Sequence, residues 1–252
     1  MLKVMISGAG GKMGGVVARI CNEDPMISIV CGVDVTICEG GNFSVFKDAS
    51  DFKGKVDVII DFSHPSALPG LLRYVKGTKT PIVVATTGID EEGVGMIREA
   101  SQYAPVFFSA NMSLGVNLII ELAKKAAVLL EDNFDIEIIE KHHNRKIDAP
   151  SGTALAIANA INDVLETKKE YVYDRHNVRQ SRDKSELGLH AVRGGTIVGE
   201  HEIIFAGNDE VIEISHSASS KEVFAVGAVK AAKFIVCKEK GLYSMKELIA
   251  ES

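Results

Sequence analysis

The stretch ISGAGGKMGG, Ile6 to Gly15, does more than any other to limit what this chain can fold into. It overlaps a short apolar run, Leu2 to Ser7, that reads as a strand, and leads into Met13, Val16, Val17, Ile20 and Cys21. Those five fall at i, i+3, i+4, i+7 and i+8, one face of a helix. Between strand and helix, Gly8, Gly10, Gly11 and Gly14 give both G-x-G and G-x-x-G-x-x-G spacings. Such glycines let the backbone turn tightly and approach a pyrophosphate, which the amides and dipole of a helix N-terminus then favour. A tight glycine turn also occurs in other α/β proteins. Here an acidic residue, Asp34, ends the second apolar run roughly 20 residues later, where a ribose hydroxyl is expected, and the combination predicts dinucleotide binding.

Asp34 accepts a hydrogen bond from a ribose hydroxyl but repels a 2′-phosphate. Val35 and Thr36 follow it where an arginine would serve NADPH, which favours NADH, with Lys12 in the turn able to serve a 2′-phosphate instead. The strands expected after the first are Ile27 to Val33, Val56 to Ile60, Ile82 to Ala85 and Val106 to Phe108, alternating with helical patterns. That rhythm predicts a doubly wound α/β domain with a parallel sheet. Ligands of such sheets bind outside the carboxyl ends of the strands. The stretches Asp61 to His64, Ala85 to Gly88 and Ser109 to Met112 should therefore edge the nicotinamide pocket.

From about Asp135 the rhythm changes to an α+β unit. Asp135 to His142 reads as a strand, Ala154 to Glu166 as a helix, and Gly188 to Arg193, Thr196 to Phe205 and Val211 to Ser217 as further strands. Gly194-Gly195 and Gly207-Asn208 are expected hairpin turns between the last three. The polar segment Lys168 to Glu186 reads as a mobile loop. After Ser220 a helical pattern runs through Phe224, Ala228, Ala231 and Ile235, returning to the first domain, with Gly241 as its stop.

Between the first expected strand and helix of the second unit lies EKHHNRKIDAPSGTA, Glu140 to Ala154. Every residue from His142 to Lys146 except Asn144 is basic or can become so. Pro150 and Ser151-Gly152-Thr153 then open an alanine-rich helix, with Ser151 or Thr153 able to cap it. Free amides at a helix start bind carboxylate or phosphate, and Lys146 adds positive charge. Histidine, with an unperturbed pKa of about 6.5, can deliver a proton near neutral pH, so His142 or His143 is a candidate general acid. Asp148 is read as structural. Arg193, in the Gly-Gly turn, either meets another carboxylate or marks only a hairpin.

The formal charge of −6 argues against a general nucleic-acid binder, and the local basic cluster points to a small anionic ligand. No apolar run is long enough to span a membrane and no signal peptide opens the chain, so the expected location is cytoplasmic. Cys21, Cys31, Cys38 and Cys237 show no zinc-like spacing and read as reduced thiols with core packing the expected role; no metal site is expected.

The segment Glu137 to Ala154 resembles the signature of the dihydrodipicolinate reductase family. GAGGKMG, DFSHP, ATTG, SANMSLGVN and the run from His190 to Ser220 extend the resemblance over nearly the whole chain. It implies a Rossmann-like domain from residues 1–113 and 222–252, and a substrate-binding and tetramerisation domain from 114–221 with an open mixed sheet. Hinges would lie near Asn111 to Gly115 and Ser219 to Lys221. The implied activity is hydride transfer from NADH or NADPH to a small cyclic dicarboxylate, giving tetrahydrodipicolinate on the diaminopimelate and lysine route, by a homotetramer. By resemblance His142 is the general acid and Lys146 assists it, while His143, Ser151, Gly152 and Thr153 bind substrate. Gly8, Gly11, Lys12, Met13, Asp34, Thr87, Gly88, Ala110, Asn111 and Met112 would contact the cofactor. Val35 and Lys221 stand where many relatives have Arg. Competing readings are a reductase of another small anionic substrate and a non-catalytic dinucleotide sensor; the intact His142 and Lys146 argue against the sensor.

Overall fold

The computed structural model describes residues 1–36, 42–131 and 133–251, and Cys38 lies outside them. The chain forms two compact units, Met1–Leu114 with Glu222–Ser252, and Gly115–Lys221. In the first, β1 (Leu2–Ser7) runs through the glycine turn into α1 (Lys12–Glu23), then β2 (Ile27–Val33), β3 (Val45–Phe46) and β4 (Val58–Asp61). Next come α2 (Leu68–Thr78), β5 (Ile82–Val84), α3 (Glu91–Ala100) and β6 (Pro105–Phe108). Helix α4 (Leu114–Leu130) carries the chain into the second unit.

The second unit holds β7 (Asp135–His142), α5 (Gly152–Val164), β8 (Glu170–Val172), β9 (Glu186–Arg193), β10 (Gly199–Ala206) and β11 (Val211–Ala218). The chain closes the first unit with α6 (Glu222–Ile235), β12 (Gly241–Tyr243) and α7 (Met245–Ala250).

The first sheet is parallel throughout, in the order β12-β6-β5-β4-β1-β2-β3. Side chains alternate between its faces. Val4, Ile6, Val58, Ile60, Val83 and Phe107 share a core with α1, α6 and α7. Met5, Cys31, Ile59, Ile82, Val84 and Val106 share another with α2 and α3. Both faces being covered explains why these strands read as continuous apolar runs. The order also reverses between β1 and β4, which makes the carboxyl ends of those two strands the switch point of the sheet.

The second sheet is mixed, in the order β11-β10-β7-β9-β8. One face, carrying Ile136, Ile138, Leu187, Leu189, Ile203 and Phe205, shares a core with Ile119, Ala123 and Ala127 of α4 and Ala154, Ile157, Ala158 and Ile161 of α5. Here the structure corrects the sequence reading. Gly194-Gly195 is not a hairpin turn, because β7 lies between β9 and β10, parallel to the first and antiparallel to the second. Gly207-Asn208 does belong to a hairpin, closed by the Gly207 amide donating to the Glu210 carbonyl at 2.9 Å.

The stretch read as a mobile loop contains β8, and Arg182 within it reaches Asp135 at 2.7 Å and Glu137 at 2.8 Å. Helix α6 ends before Gly241, which opens β12 rather than stopping a helix. Cys21 and Cys31 are buried, and burial pushes both thiols up to about 12. Cys237 is exposed, so it has no core role.

Two glycines test how closely α6 is fitted. A Cβ at Gly227 would fall 1.7 Å from the Met112 carbonyl oxygen, whereas one at Gly95, exposed in α3, meets nothing within 4 Å. Gly227→Ala is expected to destabilise the protein by roughly 1–3 kcal/mol through overpacking. Gly95→Ala should stabilise it by up to about 1 kcal/mol through helix propensity. Urea unfolding of the two variants checks this; equal midpoints would mean that α6 is free to shift.

Candidate active site

The glycine turn sits at the switch point. Gly8 adopts φ +78°, and a Cβ there would stand 2.6 Å from the Phe62 carbonyl oxygen just beyond β4. A Cβ at Gly14 would meet the Gly8 carbonyl oxygen at 2.1 Å, so α1 approaches the turn only because that residue is glycine. Helices α3, α5 and α7 open on the side-chain caps Asp90, Ser151 and Ser244. Helix α1 opens on Gly11, with no side-chain cap hydrogen bond. Its first turn therefore keeps the anion-binding character of a helix start.

Asp34 follows β2 and accepts hydrogen bonds from the Gly10 amide at 2.9 Å and the Thr36 amide at 3.0 Å. It thus braces the turn as well as marking the strand end. Lys12 is exposed on the first turn of α1, Met13 is half-buried, and Val35 is 84% exposed. Thr87 and Gly88, the latter at φ +74°, are exposed beyond β5, and Ala110 is exposed beyond β6. Asn111 accepts the Ser113 amide at 2.9 Å, while the Met112 side chain belongs to the core.

The sequence reading named both stretches involved but not the pairing that joins them. Asp61 is wholly buried and accepts from the Thr86 hydroxyl at 2.8 Å, tying the end of β4 to the loop after β5.

In the second unit the opening of α5 and the end of β7 meet at one carboxylate. Glu140 is 1% exposed. Its Oε2 accepts from His142 Nδ1 at 2.6 Å and Arg193 Nη1 at 2.7 Å; its Oε1 accepts from Arg193 Nη2 at 2.6 Å and the Ser151 amide at 2.9 Å. Burial acts to raise the Glu140 pKa, but the hydrogen bonds from Arg193, His142 and Ser151 outweigh it and hold the group below the usual carboxylate range. Arg193 Nη2 also donates to the Asp148 carbonyl at 2.6 Å, anchoring the loop between β7 and α5.

Ser151 is the N-cap, its Oγ accepting from the Ala154 amide at 3.1 Å. The same hydroxyl lies 3.2 Å from Nε2 of buried His201, whose ring stands edge-on to His142 with centroids 5.3 Å apart. Gly152 opens α5, and a Cβ there would meet nothing within 4 Å, so the fold itself does not require glycine at that position. Thr153 follows in the first turn. Lys146 pairs with the exposed Asp148 at 2.8 Å. His143 is held below its ordinary pKa by desolvation and then by repulsion from Arg145, Lys221, His142 and Lys146.

Arg193 thus meets a carboxylate of the protein itself. Glu140 and His201 were not singled out by sequence, although Ile136, Ile138, Glu140 and His142 fall on one face of β7 by simple alternation.

A parallel sheet in the order 3-2-1-4-5-6, extended by β12, places the chain in the class of Rossmann-type dinucleotide-binding proteins that carry a second, α+β unit. Within that class the family is specific. Residues 2–112 match the family described as "Dihydrodipicolinate reductase, N-terminus" and residues 115–249 the one described as "Dihydrodipicolinate reductase, C-terminus". The 4-hydroxy-tetrahydrodipicolinate reductase of Caldanaerobacter subterraneus subsp. tengcongensis is 53% identical over 249 residues, covering 99% of this chain and 98% of the relative. That of Clostridium novyi is 46% identical over 249 residues, with the same coverage. A solved structure, dipicolinate-bound dihydrodipicolinate reductase from Paenisporosarcina sp. TG-14, shares the fold at TM-score 0.81 with 23% identity, covering 97% of each chain. The chain belongs to the dihydrodipicolinate reductase family.

The buried histidine of the cluster links it to stability. Burial, and then the neighbouring His142, push His201 down to about 4 from 6.5. Between those values the unfolded chain binds a proton that the folded protein does not. Stability from this group is therefore fully present above about pH 6.5 and is lost as pH falls towards about 4, by up to about 3 kcal/mol. Denaturant unfolding at pH 7, 6 and 5 should show that decline, and His201→Gln should flatten it. A slope unchanged by the substitution would assign the pH response to other groups.

Proposed function

We propose that the protein catalyses the NAD(P)H-dependent reduction of 4-hydroxy-tetrahydrodipicolinate to tetrahydrodipicolinate, in keeping with curated relatives named 4-hydroxy-tetrahydrodipicolinate reductase. The reaction adds one hydride and one proton and releases one water. The observation that carries the reading is the meeting of His142 and the start of α5 on the two oxygens of Glu140. A group able to give a proton and a helix start able to hold a carboxylate are thereby fixed to each other. A cyclic dicarboxylate that must be protonated as it is reduced needs both.

In this reading Nε2 of His142 gives the proton, and Lys146 supports it and balances substrate charge. His143, Ser151, Gly152 and Thr153 hold the substrate carboxylates. The first unit fits a dinucleotide: Gly8 and Gly14 sit where a Cβ would strike backbone, and α1 begins without a side-chain cap. Bound there, the reduced nicotinamide cofactor supplies the hydride. Gly8, Gly11, Lys12 and Met13 would take the pyrophosphate end, Asp34 the ribose, and Thr87, Gly88, Ala110, Asn111 and Met112 the nicotinamide side.

NADH is the preferred donor, because the Asp34 side chain disfavours a 2′-phosphate and exposed Val35 offers no compensating charge. The working form is a homotetramer. The face of the second sheet opposite its helices presents Ile139, Val192, Ile204 and Val211, the two valines 44% and 57% exposed, among the charged Glu137, Lys141, Glu200, Glu202 and Glu213, a mixed apolar and charged face on which a second copy could seat. Sedimentation equilibrium should return four times the chain mass, and a monomer would sink that part of the reading.

The first test of activity is oxidation of NADH and of NADPH with substrate made freshly from pyruvate and aspartate semialdehyde by the preceding synthase. NADH should give the higher kcat/KM, and Val35→Arg should move the ratio towards NADPH. His142→Gln should lower kcat by about 10²- to 10⁴-fold with KM little changed, as expected for loss of a general acid. Cofactor binding without turnover of either nicotinamide would instead favour the dinucleotide sensor.

A further inference from the structure

We propose that Glu140 is a positioning residue for the reaction: its one buried carboxylate selects which nitrogen of His142 carries the mobile proton and holds that histidine in register with the start of α5. The proposal rests on the reading of His142 as proton donor and adds the device that sets its geometry.

An ionised carboxylate only accepts hydrogen bonds. Because Glu140 Oε2 lies 2.6 Å from His142 Nδ1, that nitrogen must carry hydrogen, and Nε2 is left as the site that gains and gives a proton. Arg193 is what keeps Glu140 an acceptor. Buried without a cation, the carboxyl would take up a proton and could turn from acceptor to donor. With Nη1 and Nη2 both engaged at 2.7 and 2.6 Å, it stays ionised.

Room beside the proton-giving nitrogen depends on a glycine: a Cβ at Gly199 of β10 would lie 3.1 Å from His142 Nε2 and crowd it. Through Oε1 the same carboxylate takes the Ser151 amide at 2.9 Å, so a displacement of Glu140 shifts proton donor and helix start together. A bland alternative exists: Glu140 and Arg193 join β7 to β9 as an ion pair and do no more. The two readings differ in whether the effect of Glu140 passes through His142.

Two measurements separate them. In the wild-type protein labelled with ¹⁵N-histidine, neutral His142, identified as the imidazole signal missing from His142→Gln, should be the Nδ1–H tautomer; the Nε2–H tautomer overturns the proposal. In steady-state assays Glu140→Gln turns an N–H towards groups that are themselves donors, and should cost kcat about 10²-fold or more. In the His142→Gln background the same substitution should cost less than about threefold, since the group it acts through is gone. An equal loss in both backgrounds makes Glu140 structural and overturns the proposal alone. If His142→Gln itself leaves kcat unchanged, the proton-donor reading fails and takes the proposal with it. The tautomer measurement needs no change at Glu140, so a Glu140→Gln chain that did not fold would leave that test standing.

Discussion

The Glu140–Arg193 pair is the interaction on which the buried polar cluster of the second unit depends. Taking both charges out of water costs several kcal/mol per ion, and their attraction repays this only with good geometry and further hydrogen bonds. Glu140 has both: a two-pronged guanidinium, an imidazole and a backbone amide. Removing Arg193 would force Glu140 either to stay charged and unpaired inside the fold or to take up a proton, a larger penalty than the pair's net contribution. The arrangement is better explained by what it orients than by stability, because a well-packed apolar pair could join β7 to β9 at no such risk.

A different constraint governs the first unit. There the site consists mostly of backbone, and the side chains that matter are the ones missing. Gly14 lets α1 come within reach of the Gly8 carbonyl, and Gly8 lets the turn pass Phe62. Asp34 then accepts from the Gly10 amide. A residue expected only to recognise a ribose thus also stiffens the turn.

The first unit was largely legible in the sequence because its signals are local. Buried strands, the glycine spacing and the amphipathic face of α1 can each be read within a dozen residues. Strand order in the second sheet is not local: two runs joined by Gly194-Gly195 look like a hairpin, yet β7 enters between them. Edge strands of three residues, such as β8 and β12, carry too little apolar pattern to stand out from polar loops. The caps, by contrast, were accessible, and Ser151 set the start of α5 two residues before the helix read from its alanines.

Glu140, Arg193 and His201 show what a fuller reading of alternation would have found. Each stands in phase with buried residues of its own strand: Glu140 with Ile136 and Ile138, Arg193 with Leu187 and Leu189, His201 with Ile203 and Phe205. A polar residue in phase with a core face is either a folding liability or half of a pair, and three such residues on three strands predict a buried polar cluster. What alternation cannot supply is adjacency. Only the sheet order, with β7 between β9 and β10, brings the arginine to that carboxylate and sets the second histidine edge-on to His142 beside it, which is why the basic segment was visible in the sequence and the group that organises it was not.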